Sequence, residues 1–288
     1  MSSYLKWVGG KGKLAPDLIN LFPQHINRYF EPFVGSGAMF FSYFRYSEQK
    51  DMFDEQTYAS VAILNDFNSH LINCHEQVAS SIDDMIPILE RLEDSHRKDP
   101  QAFYHKIRES VTKSDRDKLQ SAAEFIYINK TCFNGIWRVN KSGGFNVPWN
   151  KKKDINLAST HIQRCSKLLK QYAEFVNTDF ETFIKSCEFS EGDFVFLDPP
   201  YIPVSATSNF VSYTEDGWDY KCDLRLKGCL EYLDNQGVKF MMTNSDADLV
   251  YDLFGKWNIG TIRAHRFVKA LKGEGTRTKV DETVTTNY

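Results

Sequence analysis

The chain holds 288 residues, 42% of them hydrophobic, with a formal net charge of −3. That is apolar mass enough for a full globular core, as one large domain or one domain with an insertion. No apolar run approaches the roughly eighteen residues of a membrane span, and MSSYLKWVGG lacks the apolar core of a signal peptide, so a soluble, cytoplasmic protein is expected. Cysteines at 74, 132, 165, 187, 222 and 229 make no CxxC pair, which fits reduced thiols. The seven histidines have neither HxxxH nor HExxH spacing, so no metal site is expected.

Residues 4–14 set Trp7 and several lysines about a Gly9-Gly10 turn, ahead of a helical stretch from Leu14 to Phe22. An aromatic beside a tight basic turn suits an adenine- or carboxylate-bearing ligand, although an ordinary loop reads the same way. Next, a strand from Arg28 runs through Glu31-Pro32-Phe33-Val34 into Gly35-Ser36-Gly37, and an apolar helix begins at Ala38. Glycine lets backbone approach a ligand closely, here at a helix N-terminus. As a dinucleotide fingerprint the turn is incomplete, because Phe40 takes the third glycine's place. It gains weight from a second strand, Ala62 to Asn65, ending at Asp66, where a ribose-binding carboxylate belongs. The gap from Gly37 to Asp66 exceeds the usual ~20 residues, and the polar stretch Arg45–Tyr58 is expected as a surface insertion.

Residues 70–125 are polar and helical in pattern (Met85 to Leu92, Phe103 to Val111, Leu119 to Tyr127), without catalytic spacing. From Asn129 to Trp149 the texture changes. Ile136–Asn140 and Phe145–Trp149 flank a Lys-Ser-Gly-Gly turn, which predicts a β-hairpin. Between Phe125 and Lys153 lie six basic residues (Lys130, Arg138, Lys141, Lys151, Lys152, Lys153) and no acid; between Arg263 and Lys279 lie six more, against Glu274 alone. A basic stripe on an acidic chain is a footprint for phosphates. A two-stranded ribbon fits the DNA major groove, where Arg138 would read a guanine edge for ~1–3 kcal/mol of discrimination. A structural hairpin with solvated charges is the plain alternative. Phe175 to Phe180 carries another strand-end acid, Asp179. A helix (Asp223–Leu233) and a strand (Val238–Thr243, ending at Asn244-Ser245) continue the α/β alternation. Residues 272–279 form a basic glycine loop before a final strand, Glu282–Asn287.

The densest chemistry lies in Val195-Phe196-Leu197-Asp198-Pro199-Pro200-Tyr201. Phe194 to Leu197 read as a fully buried strand. Two prolines without N–H groups end it, and Asp198 before them is held extended. The result is a rigid ledge presenting a carboxylate, a main-chain carbonyl and an aromatic ring, at the strand end where open α/β sheets collect ligands. Two neighbouring acceptors can grip both hydrogens of an exocyclic amine, drawing its nitrogen out of conjugation, while Tyr201 stacks on the base. Set against an electrophilic methyl, such a nitrogen needs no covalent intermediate, and positioning supplies about 7–11 kcal/mol. A Pro-Pro turn capping a strand is the bland alternative. The following loop, YIPVSATSNFVSYT, is polar enough to close over the site.

Taken together, Lys6-Trp7-Val8-Gly9-Gly10-Lys11, Glu31-Pro32-Phe33-Val34-Gly35-Ser36-Gly37, Asn65-Asp66, Phe133-Asn134-Gly135, Phe145-Asn146-Val147-Pro148 and Asp198-Pro199-Pro200-Tyr201 resemble the Dam/DpnM-type DNA adenine N6-methyltransferases, in that family's order and over nearly the whole chain. DPPY is shared by several amino-methyltransferase groups; DPPYIPVSATSNFVSYT and GTRTKVDE are narrower and point to members that modify GATC. The resemblance implies that Trp7, Lys11, Phe33, Gly35, Gly37, Asp66, Asp179 and Asp198 hold S-adenosylmethionine, with Asp66 on the ribose hydroxyls. Asp198, Pro199, Pro200 and Tyr201 would hold a flipped adenine. Lys6, Arg138 and Pro148 match positions that contact the recognition site, and Phe133 and Asn134 match a pair at the gap the base leaves. One departure stands out: Trp149-Asn150-Lys151-Lys152 replaces the Phe-Gly-Arg-Tyr common in Dam-like members.

The expected fold is therefore an α/β, Rossmann-like S-adenosylmethionine-dependent methyltransferase core, residues 1–73 and 176–288. Residues 74–175 would form an inserted, mostly helical DNA-recognition domain carrying the hairpin. The expected reaction is N6 methylation of adenine in double-stranded DNA, with no metal, by a monomer that a restriction endonuclease accompanies in some settings. A different short DNA site, or an RNA or protein amine, is the alternative substrate. A nicotinamide dehydrogenase would use the glycine turn and Asp66 but needs neither ledge nor basic hairpin. A DNA-binding module without catalysis would have no use for so complete a set of motifs.

Overall fold

A computed structural model describes residues 2–48, 57–113, 116–204, 217–267 and 277–288, with the side chains of 264–267 and 277–280 excepted. Strand β4 (Phe194–Leu197) is buried at all four positions, between the Gly192-Asp193 turn and the two prolines. Burial on both faces suits a parallel sheet covered by helices. β4 runs parallel to β1 (Arg28–Glu31) on one side and to β5 (Lys239–Ser245) on the other. Beyond β5 the sheet turns antiparallel, first to β7 (Arg277–Thr286) and then to β6 (Asn258–Phe267). β2 (Val61–Asn65) and β3 (Ala173–Val176) pair in parallel, and the order across the seven strands is β3-β2-β1-β4-β5-β7-β6. The carboxyl ends of β1 and β4 thus flank a topological switch point, where open α/β sheets hold ligands.

Compactness groups the chain into two units. The first comprises Met1–Asn20, Val34–Asp54 and Ser60–Asp179. It holds β2, β3 and helices α1 (Ala15–Ile19), α2 (Ala38–Ser47), α3 (Ser69–Ser80), α4 (Ile82–Lys98), α5 (Pro100–Arg108), α6 (Lys118–Thr131) and α7 (Thr160–Tyr172). Every residue of α6 from Ala122 to Ile128 is buried, because α3, α4 and α5 all pack on it. α4 contributes a narrow stripe, Met85, Leu89, Leu92 and His96, at helical spacing. Side chains of Asn68, Asp99 and Asp117 accept the first N–H groups of α3, α5 and α6, fixing where each begins.

The second unit comprises Leu21–Phe33, Glu55–Ala59 and Phe180–Tyr288. It holds β1, β4, β5, β6 and β7 with α8 (Phe180–Ser186), α9 (Tyr220–Asn235) and α10 (Asp248–Phe254). These units follow compactness alone; the expected division into catalytic and recognition parts is one of function. Among the described residues, no helix is long and apolar enough to cross a membrane.

Three expectations need correction. The hairpin reverses direction as expected but forms no regular ribbon, only the single bridges Val139↔Phe145 and Cys132↔Trp149. The Asn140 side chain takes the N–H groups of Ser142 and Gly144, Pro148 has no N–H to give, and Arg138 meets Asn146 through side chains instead. Of the stretch Arg45–Tyr58, Arg45–Ser47 belong to α2, and 49–56 lie outside the described residues. The helix expected from Leu14 to Phe22 is confined to α1. Most of the loop after Tyr201 (205–216) and most of the basic glycine loop (268–276) also lie outside the described residues.

β1 and β4 are locked at their starts by an ion pair. Arg28 Nε donates to Asp193 Oδ1 at 2.9 Å and Nη2 to Oδ2 at 2.6 Å, while Ser190 N–H reaches the same carboxylate at 2.7 Å. The Asp193 side chain is fully buried. The Arg28 side chain is 34% exposed, so the charge left behind by removing the acid is partly solvated. Asp193→Asn is expected to lower the unfolding free energy by roughly 1–3 kcal/mol, as read by urea denaturation.

Candidate active site and nucleic-acid interface

The ledge lies at the carboxyl end of β4 in the second unit. Leu197 pairs with Met242, so the next residues in line are Asp198 and Thr243. Thr243 Oγ1 donates to Asp198 Oδ1 at 2.8 Å. Tyr201 donates its hydroxyl to Glu282 Oε2 at 2.7 Å, and Glu282 is a buried acid on β7. Burial first, then the negative charges of Asp198 and Glu282, push the Tyr201 phenol well above its ordinary value. Tyr201 is therefore a neutral donor and a flat face. Main chain past the prolines is fixed by β5: Asn244 Oδ1 accepts the Ile202 N–H at 3.0 Å, and Ser245 Oγ donates to the Ile202 carbonyl. In the same unit Phe33 packs against Phe180 and Trp218, at ring distances of 5.2 and 5.7 Å.

The glycine turn lies in the first unit, and there the structure brings Trp7, Gly35 and Asp66 together. Gly35 has φ +48°, and a Cβ on it would stand 2.9 Å from the Trp7 ring. Gly37 has φ +73° and a similarly close Phe41 ring at 3.1 Å. Positive φ disfavours a side chain at both positions, and at Gly35 the indole adds a steric reason. The Gly35 N–H donates to Asp66 Oδ2 at 3.0 Å, and Asp66 Oδ1 accepts the Asn68 N–H at 2.9 Å. Asp66 is thereby oriented at the end of β2. The loop carrying Asp179 is sewn to the same strand end: Asn65 and Thr178 exchange two hydrogen bonds, and Asn177 Nδ2 donates to the Asp66 carbonyl at 2.8 Å. Lys11 is buried, with Nζ donating to the Gly9 carbonyl at 2.8 Å.

The hairpin base is also in the first unit. Asn134 and Gly135 are both left-handed (φ 55° and 68°), and Phe133 beside them is 43% exposed, high for so large an apolar ring. The Phe133 N–H is held by the Pro148 carbonyl at 2.8 Å, so those two predicted residues are neighbours. Lys6 joins them through Asn129, which takes the Lys6 N–H at 2.9 Å and donates to the carbonyls of Lys6 and Gly135 at 2.8 and 3.1 Å. Arg138 Nε donates to Asn146 Oδ1 at 2.7 Å, which aims the guanidinium across the hairpin. The Lys130 ammonium is lowered by burial first, and then by the like charges of Lys6 and Lys152. Positive charge is thus concentrated at the hairpin's root.

A profile of the family described as "D12 class N6 adenine-specific DNA methyltransferase" matches residues 7–267. The chain belongs to this family. It is 37% identical to the type II methyltransferase M1.LlaDCHI of Lactococcus lactis subsp. cremoris, over 99% of this chain and 95% of that one. It is 33% identical to the type II methyltransferase M.MjaIII of Methanocaldococcus jannaschii, over 99% and 98%. The DNA adenine methylase of Vibrio cholerae is 30% identical, over 97% and 94%. As an adenine-specific DNA methyltransferase the protein takes DNA as substrate, and the family implies S-adenosylmethionine as methyl donor.

For a methyltransferase of this family, several residues important to the geometry escaped the sequence reading. Nothing in the sequence around Asn129 marks it as the clip for Lys6. Phe67, next to Asp66, is 80% exposed and gives no periodic signal. His75 on α3 is the third. Its Nε2 lies 2.9 Å from the Gly35 carbonyl and its Nδ1 2.8 Å from the Tyr4 hydroxyl. A carbonyl only accepts, so Nε2 carries the proton and Nδ1 accepts from Tyr4. Burial lowers the His75 pKa to about 4, although the Gly35 carbonyl pulls the other way. A folded-state pKa below the unfolded ~6.5 means the native state holds neutral imidazole. Its stabilisation is complete above pH ~6.5 and fades as pH falls towards 4, by roughly 3 kcal/mol in all. His75→Gln, which can keep both hydrogen bonds, is expected to flatten the fall in melting temperature between pH 6.5 and 4.5 relative to the unaltered chain.

Proposed function

We propose that the protein transfers a methyl group from S-adenosylmethionine to N6 of an adenine flipped out of double-stranded DNA, with GATC as its site. The observation that carries this reading is the Asp198–Tyr201 ledge: a carboxylate oriented by Thr243 and a neutral aromatic face oriented by Glu282, at the sheet's switch point. Asp198 and the main-chain carbonyl of Asp198 or Pro199 accept the two hydrogens of the exocyclic amine. Tyr201 stacks on the base, and Pro199 and Pro200 keep the acceptors rigid. Because the amine is otherwise paired inside the duplex, the base must leave the stack at a cost of a few kcal/mol.

The cradle formed by Trp7, Gly35 and Asp66 fits the cofactor. A Cβ at Gly35 would fill space against the indole, and the Asp66 carboxylate is fixed for ribose hydroxyls. Gly37, Lys11, Asp179, Phe33 and Asp198 complete the set, and exposed Phe67 adds a flat apolar face for an adenine. When bound, S-adenosylmethionine supplies an electrophilic methyl on a sulfonium, which the amine takes with loss of one proton. Residues 1–73 and 176–288 make the catalytic part and 74–175 the recognition part. Within the latter, Arg138 and Pro148 read the site with Lys6, Phe133 and Asn134 fill the vacated gap, and Lys130 and Lys152 meet phosphates.

GATC is supported by the runs DPPYIPVSATSNFVSYT and GTRTKVDE and by relatives named DNA adenine methylase. The names of the type II relatives support a role beside a restriction endonuclease.

Labelled S-adenosylmethionine with matched duplexes tests this directly. Transfer is expected only to duplexes containing GATC; transfer to adenine elsewhere would move the site, and transfer to RNA or protein alone would overturn the reading. Asp198→Ala is expected to cut methylation at least about a hundredfold while leaving DNA binding nearly intact. Arg138→Ala is expected to relax discrimination at one base pair by ~1–3 kcal/mol. A uniform weakening across all sequences, with a shallower salt dependence, would make Arg138 a phosphate contact instead.

A further inference from the structure

We infer that Thr243 on β5 and Glu282 on β7 are positioning residues for methyl transfer, together keying the Asp198 and Tyr201 side chains of the ledge. The inference rests on reading Asp198–Tyr201 as the grip on adenine. After the exposed Lys239, β5 carries buried apolar residues, Phe240, Met241 and Met242, then turns polar at Thr243, Asn244 and Ser245 while staying buried. Buried polar groups are costly unless bonded, so their partners reveal their use. Asn244 and Ser245 bond the main chain of Ile202. Thr243 Oγ1 donates to the Asp198 carboxylate at 2.8 Å, with the Leu197 carbonyl farther off at 3.5 Å and the Tyr201 phenol also within reach.

An aspartate at a strand end can rotate about two side-chain torsions. A β-branched threonine in a sheet interior is restricted about χ1, so its hydroxyl favours one position for the carboxylate. Glu282 does the same for the plane of the Tyr201 ring. It is buried on β7, opposite Ser245, and accepts the phenol at 2.7 Å. Both bonds act on side chains of the ledge; Asp198 is shared with the cofactor set, whereas Trp7, Gly35 and Asp66 are held by neither bond.

The test is single-turnover methylation by the full chain at saturating S-adenosylmethionine and duplex, with binding of each measured in parallel. Thr243→Val keeps shape and removes the donor. A fall of roughly 10- to 100-fold in the turnover rate is expected, with cofactor KM and DNA affinity unchanged within about twofold and Thr243→Ser restoring most of the rate. Glu282→Met should show the same split, with Glu282→Gln, which keeps an acceptor, recovering most of it. Should the valine variant fail to fold, Thr243→Ala carries the same expectation. Full activity in Thr243→Val, a serine variant as slow as the valine, or binding lost in step with rate would overturn the inference. If Asp198→Ala kept full methylation, the ledge reading itself would fall; if that variant were inactive and Thr243→Val fully active, only this inference would.

Discussion

Two consecutive prolines end β4, and much of the second unit's local structure answers to that constraint. β5 runs three residues beyond the last pair that β4 can offer, Leu197 with Met242. Its far side stays paired with β7 as far as Ser245. On the near side, the ledge has no ladder hydrogen bonds to give, because proline has no N–H. Those bonds are replaced by side chains: the Thr243, Asn244 and Ser245 run reaches Asp198 and Ile202 one residue after another. A polar triplet inside a core is thus the other half of the Pro-Pro break. A strand that continued normally would need neither.

Charge follows a comparable division of labour. Several of the acids that give the chain its net charge of −3 are engaged in structure. Asp193 holds Arg28, Glu181 holds Lys185 and Arg225, and Glu93 accepts the N–H groups of Leu157 and Ala158. Lys130 instead has its pKa lowered by burial first and then by the like charges of Lys6 and Lys152. Like charges so close favour an arriving anion, because each phosphate relieves the repulsion as it binds. The steering field reaches only about 8 Å at physiological salt, so overall net charge says little about affinity for DNA.

Legibility in the sequence tracked how local each signal was. β1, β2, β4 and β5 were readable as short apolar runs bounded by glycine, proline or an acid. The Asp198 ledge was readable because proline's effect is felt by its immediate neighbours. β6, α7, α8 and α10 went unread; β6 is a ten-residue strand of mixed polarity that makes sense only beside β7. Turn chemistry alone predicts too regular a hairpin, because the Asn140 side chain competes for its N–H groups. Asn129 with Lys6, His75 with Gly35, and Thr243 with Asp198 join residues 123, 40 and 45 positions apart. No window along a sequence contains such pairs. They arise from strand register and helix packing, which only the assembled fold supplies.

The same distance explains why the glycine turn looked weak as a motif. A lone Gly-x-Gly states that backbone can come close, not that anything holds it there. The fold adds the holding: Asp66 takes the Gly35 N–H from one side and His75 donates to the Gly35 carbonyl from the other. One carboxylate oxygen of Asp66 accepts the Gly35 N–H and the other the Asn68 N–H. On the proposed assignment the same carboxylate meets ribose hydroxyls, so one side chain both shapes the turn and binds what the turn receives. Removing the carboxylate would then cost more than a ligand contact, because the Gly35 N–H would lose its partner in the same step. Preorganisation of this kind lowers the ordering cost of binding. It also makes Gly35, Asp66 and His75 interdependent, so their substitutions should not combine additively.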